Sequence, residues 1–309
     1  MQPRKLAIFL MGPTASGKTN LAIKLADILP IDIISVDSAM IYRGMNVGTG
    51  KPSNQQLVKT PHALVDILSP TERYSVDRFC NDAFAQMELS VHRGRIPMLV
   101  GGAMMYFKGL QFGMSPLPGS DEVIRNKIVN DALNYGWGEL HKRLKQLDPK
   151  AAVQIHQNDQ QRVQRALEII YLTGKSLTEL KKRKYHKLFG WTLKTVAIAP
   201  RDRSLLHQRI SKRFEQMLLS GFEEEVCQLQ KKHDLHLGLP SVRSVGYRQI
   251  WQFLHNQLSK SEMVAKSVAT TRQLAKRQFT WLNHWPNLHW LDSDDVNISC
   301  KFEKIVNVF

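Results

Sequence analysis

The chain has 309 residues, 43% of them hydrophobic, and Lys plus Arg outnumber Asp plus Glu 43 to 27, a formal net charge of +16. That apolar content excludes wholesale disorder, and no run approaches the ~18 apolar residues a membrane-spanning helix needs. The charge excess makes a polyanion a candidate partner. Cys80, Cys227 and Cys300 are too widely spaced for a disulfide framework or a CxxC metal pair. His233 and His236 have no Cys or carboxylate cluster to complete a metal site and read as solvated. The apolar stretch Leu6 to Met11 is too short for a signal peptide and runs straight into a glycine motif, so a cytoplasmic protein with no membrane partner is expected.

In chain order, Lys5 to Met11 (KLAIFLM) is an apolar run of strand length, followed by a helical pattern from Asn20 to Leu29. Ile31 to Val36 is a second strand, Ser75 to Arg93 a helix, and Ile96 to Val100 a third strand closed by Gly101 and Gly102. Short buried strands alternating with helices predict a parallel α/β sheet. Pro116, Pro118 and Gly119 then form a breaker cluster. From Asp121 to about Thr173 the apolar residues recur only at helical spacing, and Lys181 to Lys184 (KKRK) is a solvated charge run. Strand character returns over Leu193 to Ala199, and further helices are expected over 205–219, 223–232, 245–258 and 261–281. The fold class is therefore α/β: a parallel sheet core of residues 1–115 plus 195–309, flanked by helices, with an all-helical insertion domain at 116–194.

Gly12, Pro13, Thr14, Ala15, Ser16, Gly17, Lys18 and Thr19 match GxxxxGK[ST] between a strand and a helix, the context this phosphate loop requires. Glycines let backbone N–H groups converge on an anion, and the helix N-terminus adds partial positive charge. Lys18 would bridge phosphate oxygens, and the Thr19 hydroxyl would hold Mg²⁺. The motif leaves open whether the compound is ATP, another nucleotide or a diphosphate. Asp37, at the carboxyl end of the second strand, has three readings: a metal acid acting through water, a general base, or a turn carboxylate. The other strand that could supply a metal acid ends in Gly-Gly, which weakens simple ATP hydrolysis.

Six blocks in order, GPTASGKT, ISVDSAMIYRGMNVGTGKP, PMLVGGAMMYFKGL, DQQRVQRALEI, PSVRSVGYRQ and TRQLAKRQFTWL, resemble the bacterial tRNA dimethylallyltransferases over nearly the whole chain. The resemblance implies a P-loop NTPase-like core and transfer of a dimethylallyl group from dimethylallyl diphosphate to N6 of the adenosine 3′ of the anticodon. The tRNAs concerned read codons beginning with U. It implies Asp37 as general base, with Lys18, Thr19 with Mg²⁺, and an Arg stabilising the departing diphosphate. Arg213 is the expected Arg, with Arg209 four residues earlier on the same helix face as the weaker alternative.

The tRNA contacts implied are Asp37, Ser38, Ala39 and Met40 at the target base, and Ala103 where the family usually has Thr. Arg125, Gln161, Arg162, Val163, Gln164 and Arg165 belong to the insertion, which would grip the anticodon stem-loop. Arg243, Ser244, Val245, Gly246, Tyr247 and Arg248 would clamp a splayed loop. Lys276, Arg277, Gln278, Phe279, Thr280, Trp281, Leu282 and Asn283 interleave basic and aromatic residues, a composition suited to unstacked bases. Phe279 and Leu282, at helical spacing, also suit a core. Base flipping would bring N6 to the site at a cost of roughly a few kcal/mol, and the isoprenoid would enter a channel from the opposite side. A monomer is expected. Two other classes stay open: a P-loop small-molecule kinase or NTPase with an incidental basic surface, and a non-catalytic RNA-binding protein.

Overall fold

The computed structural model describes residues 5–115, 117–181, 188 and 190–306; Pro116 and Lys182 to Lys184 of the charge run lie outside them. The chain runs β1 (Lys5–Met11), α1 (Lys18–Ala26), β2 (Ile31–Val36), α2 (Asn54–Lys59), β3 (His62–Ala63), α3 (Val76–His92), β4 (Ile96–Gly101) and α4 (Met104–Phe112). Five helices follow: α5 (Glu122–Tyr135), α6 (Trp137–Leu147), α7 (Pro149–Gln154), α8 (Gln160–Thr173) and α9 (Leu177–Leu180). It then continues through β5 (Trp191–Ala199), α10 (Arg203–Leu219), α11 (Phe222–Lys232), α12 (Tyr247–Leu254), α13 (Lys260–Asn283), β6 (Leu288–Asp292) and α14 (Ile298–Val306).

Two compact units result, Met1–Gly109 with Leu188–Phe309, and Leu110–Lys187. The second begins within α4, earlier than the expected Pro116, because the breaker cluster follows a helix that already crosses the boundary. Strand β5 starts at Trp191, earlier than Leu193, because its half-buried first residues do not read as an apolar run.

In the first unit, six strands form one parallel sheet in the order β3-β2-β4-β1-β5-β6. Ala7 to Met11 of β1 are wholly buried, as a central strand covered on both faces demands. On one face Ile8 and Leu10 pack with Leu21 and Leu25 of α1 and Phe302 and Val306 of α14. On the other, Phe9 meets Phe107 of α4 at 5.0 Å between ring centroids, and Phe107 stands edge-on to Trp285. Each such side chain contributes roughly 1.5–3 kcal/mol of apolar burial. A further core joins the segment after β2 (Ile41, Tyr42, Met45) to α10, α11 and α12 through Phe214, Phe222 and Ile250. Strands β3 and β6 escape the sequence pattern: β3 has two residues, and β6 is an edge strand with His289 and Trp290 exposed.

The second unit is helical, with Ile128, Leu144, Val163, Leu167 and Ile170 in its core. The predicted helical stretch is broken at Gly136, whose φ is +82°, and at Asp148, which caps α7 ahead of Pro149. Within this unit Glu168 is fully buried, yet it accepts hydrogen bonds from Asp121 N–H (2.8 Å), Arg125 Nε (2.9 Å) and Arg165 Nη1 (2.8 Å). Burial alone would raise its pKa; the hydrogen bonds from Arg165, Arg125 and Asp121 outweigh burial and hold the carboxyl below its ordinary range.

That balance predicts an acid-sensitive unit. A depressed carboxyl pKa contributes stability at pH values above the unfolded glutamate's pKa and loses it as pH falls through the folded value. Glu168→Gln should cost on the order of 3 kcal/mol at pH 7 and flatten this acid dependence, as read by urea unfolding between pH 3 and 7.

Candidate active site

The turn between β1 and α1 is shaped for an anion. Gly17 caps α1 with φ +86° and no side-chain cap, so the first helical N–H groups need an acceptor from outside the helix. A side chain on Gly12 would collide with the Ile198 carbonyl of β5, so this turn requires glycine. Lys18 Nζ folds back to Pro13 O (2.6 Å) and Ser16 Oγ (3.4 Å). Gln278 of α13 braces the turn from its far side: Oε1 accepts Thr14 N–H (2.8 Å) and Nε2 donates to Gly102 O (2.9 Å). It thereby ties the phosphate loop to the residue that follows β4.

Arg213 of α10 reaches the same turn, donating to Thr14 Oγ1 (3.3 Å) and to Thr49 O (3.0 Å). Two cations thus converge on one buried place. Burial, with the repulsion of Arg213, lowers the Lys18 pKa to about 7, while Asp37 pulls it the other way. Burial also lowers Arg213, against the pull of Asp37. Arg209, although on the same wall, is committed to Asp294 and Ser293, which separates it from Arg213 and gives it the ion-pair role.

Asp37 follows β2 and accepts N–H from Ala39 (2.8 Å) and Met40 (3.2 Å), both at Oδ1. The turn-carboxylate reading therefore holds for one oxygen, and Oδ2 is the atom that can accept from a substrate amine. The place beside β1 where an NTPase keeps a metal acid is filled by Gly101 and Gly102. A side chain on Gly101 would strike Val36 O, and one on Gly102 would strike Gln278. Ala103, whose N–H binds Val36 O, sits on the wall without a hydroxyl.

These groups line a cavity of about 930 Å³ in the first unit, with Met40, Tyr42, Met104 and Tyr106 supplying apolar wall. Thr19 and Asp37 offer hard oxygen donors on that wall, a set that fits Mg²⁺ completing its shell with phosphate oxygens and water. Among the described residues no three His, Cys, Asp or Glu gather into a metal cluster.

The structure sorts the remaining expected residues. Ser38, Ala39, Met40, Arg243, Ser244, Val245, Arg277 and Trp281 line the cavity. Tyr247 does too, but it is 3% exposed, bonded to Glu225 and packed on Phe222, so it holds the wall and cannot clamp a base. Gln278 is likewise a brace, Phe279 packs against the cluster of Leu206, Ile210 and Ala275 and stacks on Trp290, and Leu282 is core. Val163 is fully buried in the helical unit. Arg165 is engaged by Glu168, Pro118 O and Gly119 O, and Arg125 by Glu168. Gln161 and Arg162 are exposed on α8, and Arg248, Lys276, Thr280 and Asn283 are exposed in the first unit. Sequence reasoning missed Thr49, Glu225 and the cation–π contact of Lys108 on Trp281. Only the glycines at 48 and 50 hinted at close packing.

Two family models match: IPP transferase over residues 40–285 and isopentenyl transferase over residues 6–68. Among solved structures, a tRNA isopentenylpyrophosphate transferase from Bacillus halodurans is 34% identical, with 99% of this chain and 95% of that chain covered and a TM-score of 0.68. The tRNA delta(2)-isopentenylpyrophosphate transferase of Staphylococcus epidermidis is 28% identical over 98% of both chains, also with a TM-score of 0.68. A eukaryotic dimethylallyltransferase acting on tRNA is 25% identical, covering 98% of this chain and 79% of that one, with a TM-score of 0.79.

Because an anion restores the charged form of Lys18, inorganic diphosphate binding at pH 8 should draw about one more proton into the wild type than into Lys18→Met. Affinity should fall as pH rises above about 7. Titration calorimetry in buffers of different ionisation enthalpy reads the difference; equal proton counts in the two proteins would refute the assignment.

Proposed function

This chain belongs to the IPP transferase family and is a tRNA prenyltransferase, and we propose that its donor is dimethylallyl diphosphate and its acceptor is N6 of the adenosine 3′ of the anticodon. The tRNAs read codons beginning with U, as the sequence resemblance implies. The observation that carries the reading is the pairing of two half-buried cations, Lys18 and Arg213, with one carboxylate, Asp37, on the wall of a cavity to which Met40, Tyr42, Met104 and Tyr106 add apolar surface. The cations suit a diphosphate, the apolar wall suits a five-carbon chain, and the carboxylate suits an amine.

In this reading N6 attacks C1 of the isoprenoid, the C1–O bond breaks, and the electron pair leaves with the diphosphate. Asp37 Oδ2 holds the N6 amine and takes its proton, while Oδ1 stays fixed by Ala39 and Met40. Lys18, Arg213 and the N–H groups at the start of α1 meet the charge that grows on the leaving oxygen. Thr19 would hold Mg²⁺, which supplies further neutralisation of the diphosphate. Gly101 and Gly102 leave no acid beside β1 to direct phosphoryl transfer. Arg243, Arg277 and Trp281 rim the cavity and are proposed RNA contacts, as are exposed Gln161 and Arg162 on the helical unit. The cytoplasmic location and monomeric state expected from the sequence belong to the same proposal; no helix among the described residues is long and apolar enough to cross a membrane.

Incubation with dimethylallyl diphosphate, Mg²⁺ and unmodified tRNA should add one isopentenyl mass to the tRNA by mass spectrometry; ATP turnover without that product would overturn the reading. Asp37→Asn should slow transfer by about 10²–10⁴-fold with tRNA affinity retained. Arg248→Ala should weaken tRNA binding and lower its salt slope by about 1. Arg165→Ala should instead destabilise the fold and leave that slope unchanged, since its guanidinium is spent on Glu168.

A further inference from the structure

Asp37 opens a stretch, residues 37–53, that is neither helix nor strand and supplies much of the cavity wall. Its far end is held by one carboxylate on α11. Glu225 Oε2 accepts the N–H groups of Asn46 (2.8 Å) and Val47 (2.7 Å), and Oε1 accepts Gly48 N–H (3.1 Å) and the Tyr247 hydroxyl (2.6 Å). Three consecutive backbone donors on one carboxylate form an anion nest filled by the protein's own side chain. The very next carbonyl, Thr49 O, is the one that receives Arg213 Nη2. The turn is closely fitted at both adjoining positions. A side chain on Gly48 would strike Phe222 and Tyr247, and one on Gly50, whose φ is +64°, would strike the Arg213 guanidinium. Thr49 adds its hydroxyl to Met45 O (2.9 Å) and Asn46 O (3.1 Å).

We propose that Glu225 is a positioning residue for prenyl transfer: through the Asn46–Gly50 turn it sets the Thr49 carbonyl that aims Arg213 at the diphosphate. Glu225 does not line the cavity and touches no substrate. The inference rests on the function proposed above and deepens it. Its physical basis is that a partly desolvated guanidinium has few partners to fix its direction, and among the described residues Arg213 donates to Thr14 Oγ1 and Thr49 O. Displacement of a stabilising cation by about 1 Å can cost up to 10²-fold in rate. Glu225→Gln keeps the shape but turns an N–H₂ donor toward backbone N–H groups, so the turn must shift.

The test is a double-mutant cycle on single-turnover transfer at saturating tRNA and dimethylallyl diphosphate. Glu225→Gln should slow the wild type at least about tenfold, with KM for tRNA nearly unchanged, and should slow the Arg213→Met background less than about twofold. Tyr247→Phe, which keeps the ring but removes one bond to the carboxylate, should show the same coupling at smaller size and serves if Glu225→Gln fails to fold. Equal slowing in both backgrounds would make Glu225 a general structural support and overturn the proposal, as would full activity of Glu225→Gln. Inorganic diphosphate binding separates this from failure of the functional reading. If the wild type transfers no prenyl group, Glu225→Gln should still weaken diphosphate binding with Arg213 present and not without it; no such difference would sink the positioning role on its own terms.

Discussion

Two positive charges, Lys18 and Arg213, are half-buried within reach of one phosphate loop, and Asp37 pulls both pKa values upward. Partly desolvated cations are costly, and two that repel each other are more so. A protein keeps such an arrangement where a ligand of opposite charge completes it, and the rest of the first unit is organised to hold it. The sheet order puts β4 and β5 on either side of β1, so the loop after β1 is flanked by backbone on both sides. The flank toward β5 is tight enough to require glycine at Gly12, and at the end of β4 Gly101 meets β2 as closely. The C-terminal helices then return to the same loop, α10 with Arg213 and α13 with Gln278.

This return explains why the chain separates prenyl transfer from phosphoryl transfer on a shared framework. A phosphate loop by itself only cradles phosphate. What it does next depends on where the acid stands and what else faces the bound group. Here the strand beside β1 ends in glycines packed too closely for any side chain, while the acid stands one strand further out, on β2, at the edge of an apolar wall. An acid in that place is suited, in the proposed reaction, to an approaching amine.

Much of this was legible in the sequence, for reasons that differ by element. Strands β1, β2 and β4 are covered on both faces, so they read as continuous apolar runs, and the phosphate loop is spelled by residue types no other turn needs together. Asp37 and Arg213 were readable as candidates because the resemblance supplied roles. The edge strands were not readable: β6 exposes His289 and Trp290, and β3 is too short for a period. Nor was the direction of side chains on α13, where Gln278 and Leu282 turn inward and Lys276 and Arg277 outward. Composition made that helix look like an RNA-binding stripe; only tertiary packing distinguishes the brace from the surface. Glu225 was invisible for a related reason, since its partners are backbone N–H groups some 180 positions earlier and carry no sequence signature.

The charge excess that first suggested a polyanion can now be divided by what each cation faces. Arg125 and Arg165 share Glu168, while Arg209 pairs with Asp294, Arg95 with Asp32, and Lys51 with Asp66. Lys18 and Arg213 face the phosphate loop. Arg243, Arg248, Lys276 and Arg277 are exposed and make no ion pair with a described residue. Of these, Arg243 and Arg277 also line the cavity. A uniformly basic surface would hold RNA anywhere. Exposed arginines on the cavity wall, Arg243 and Arg277, bias a polyanion toward the cavity that Asp37 lines, which is how a nonspecific attraction can contribute to specific chemistry.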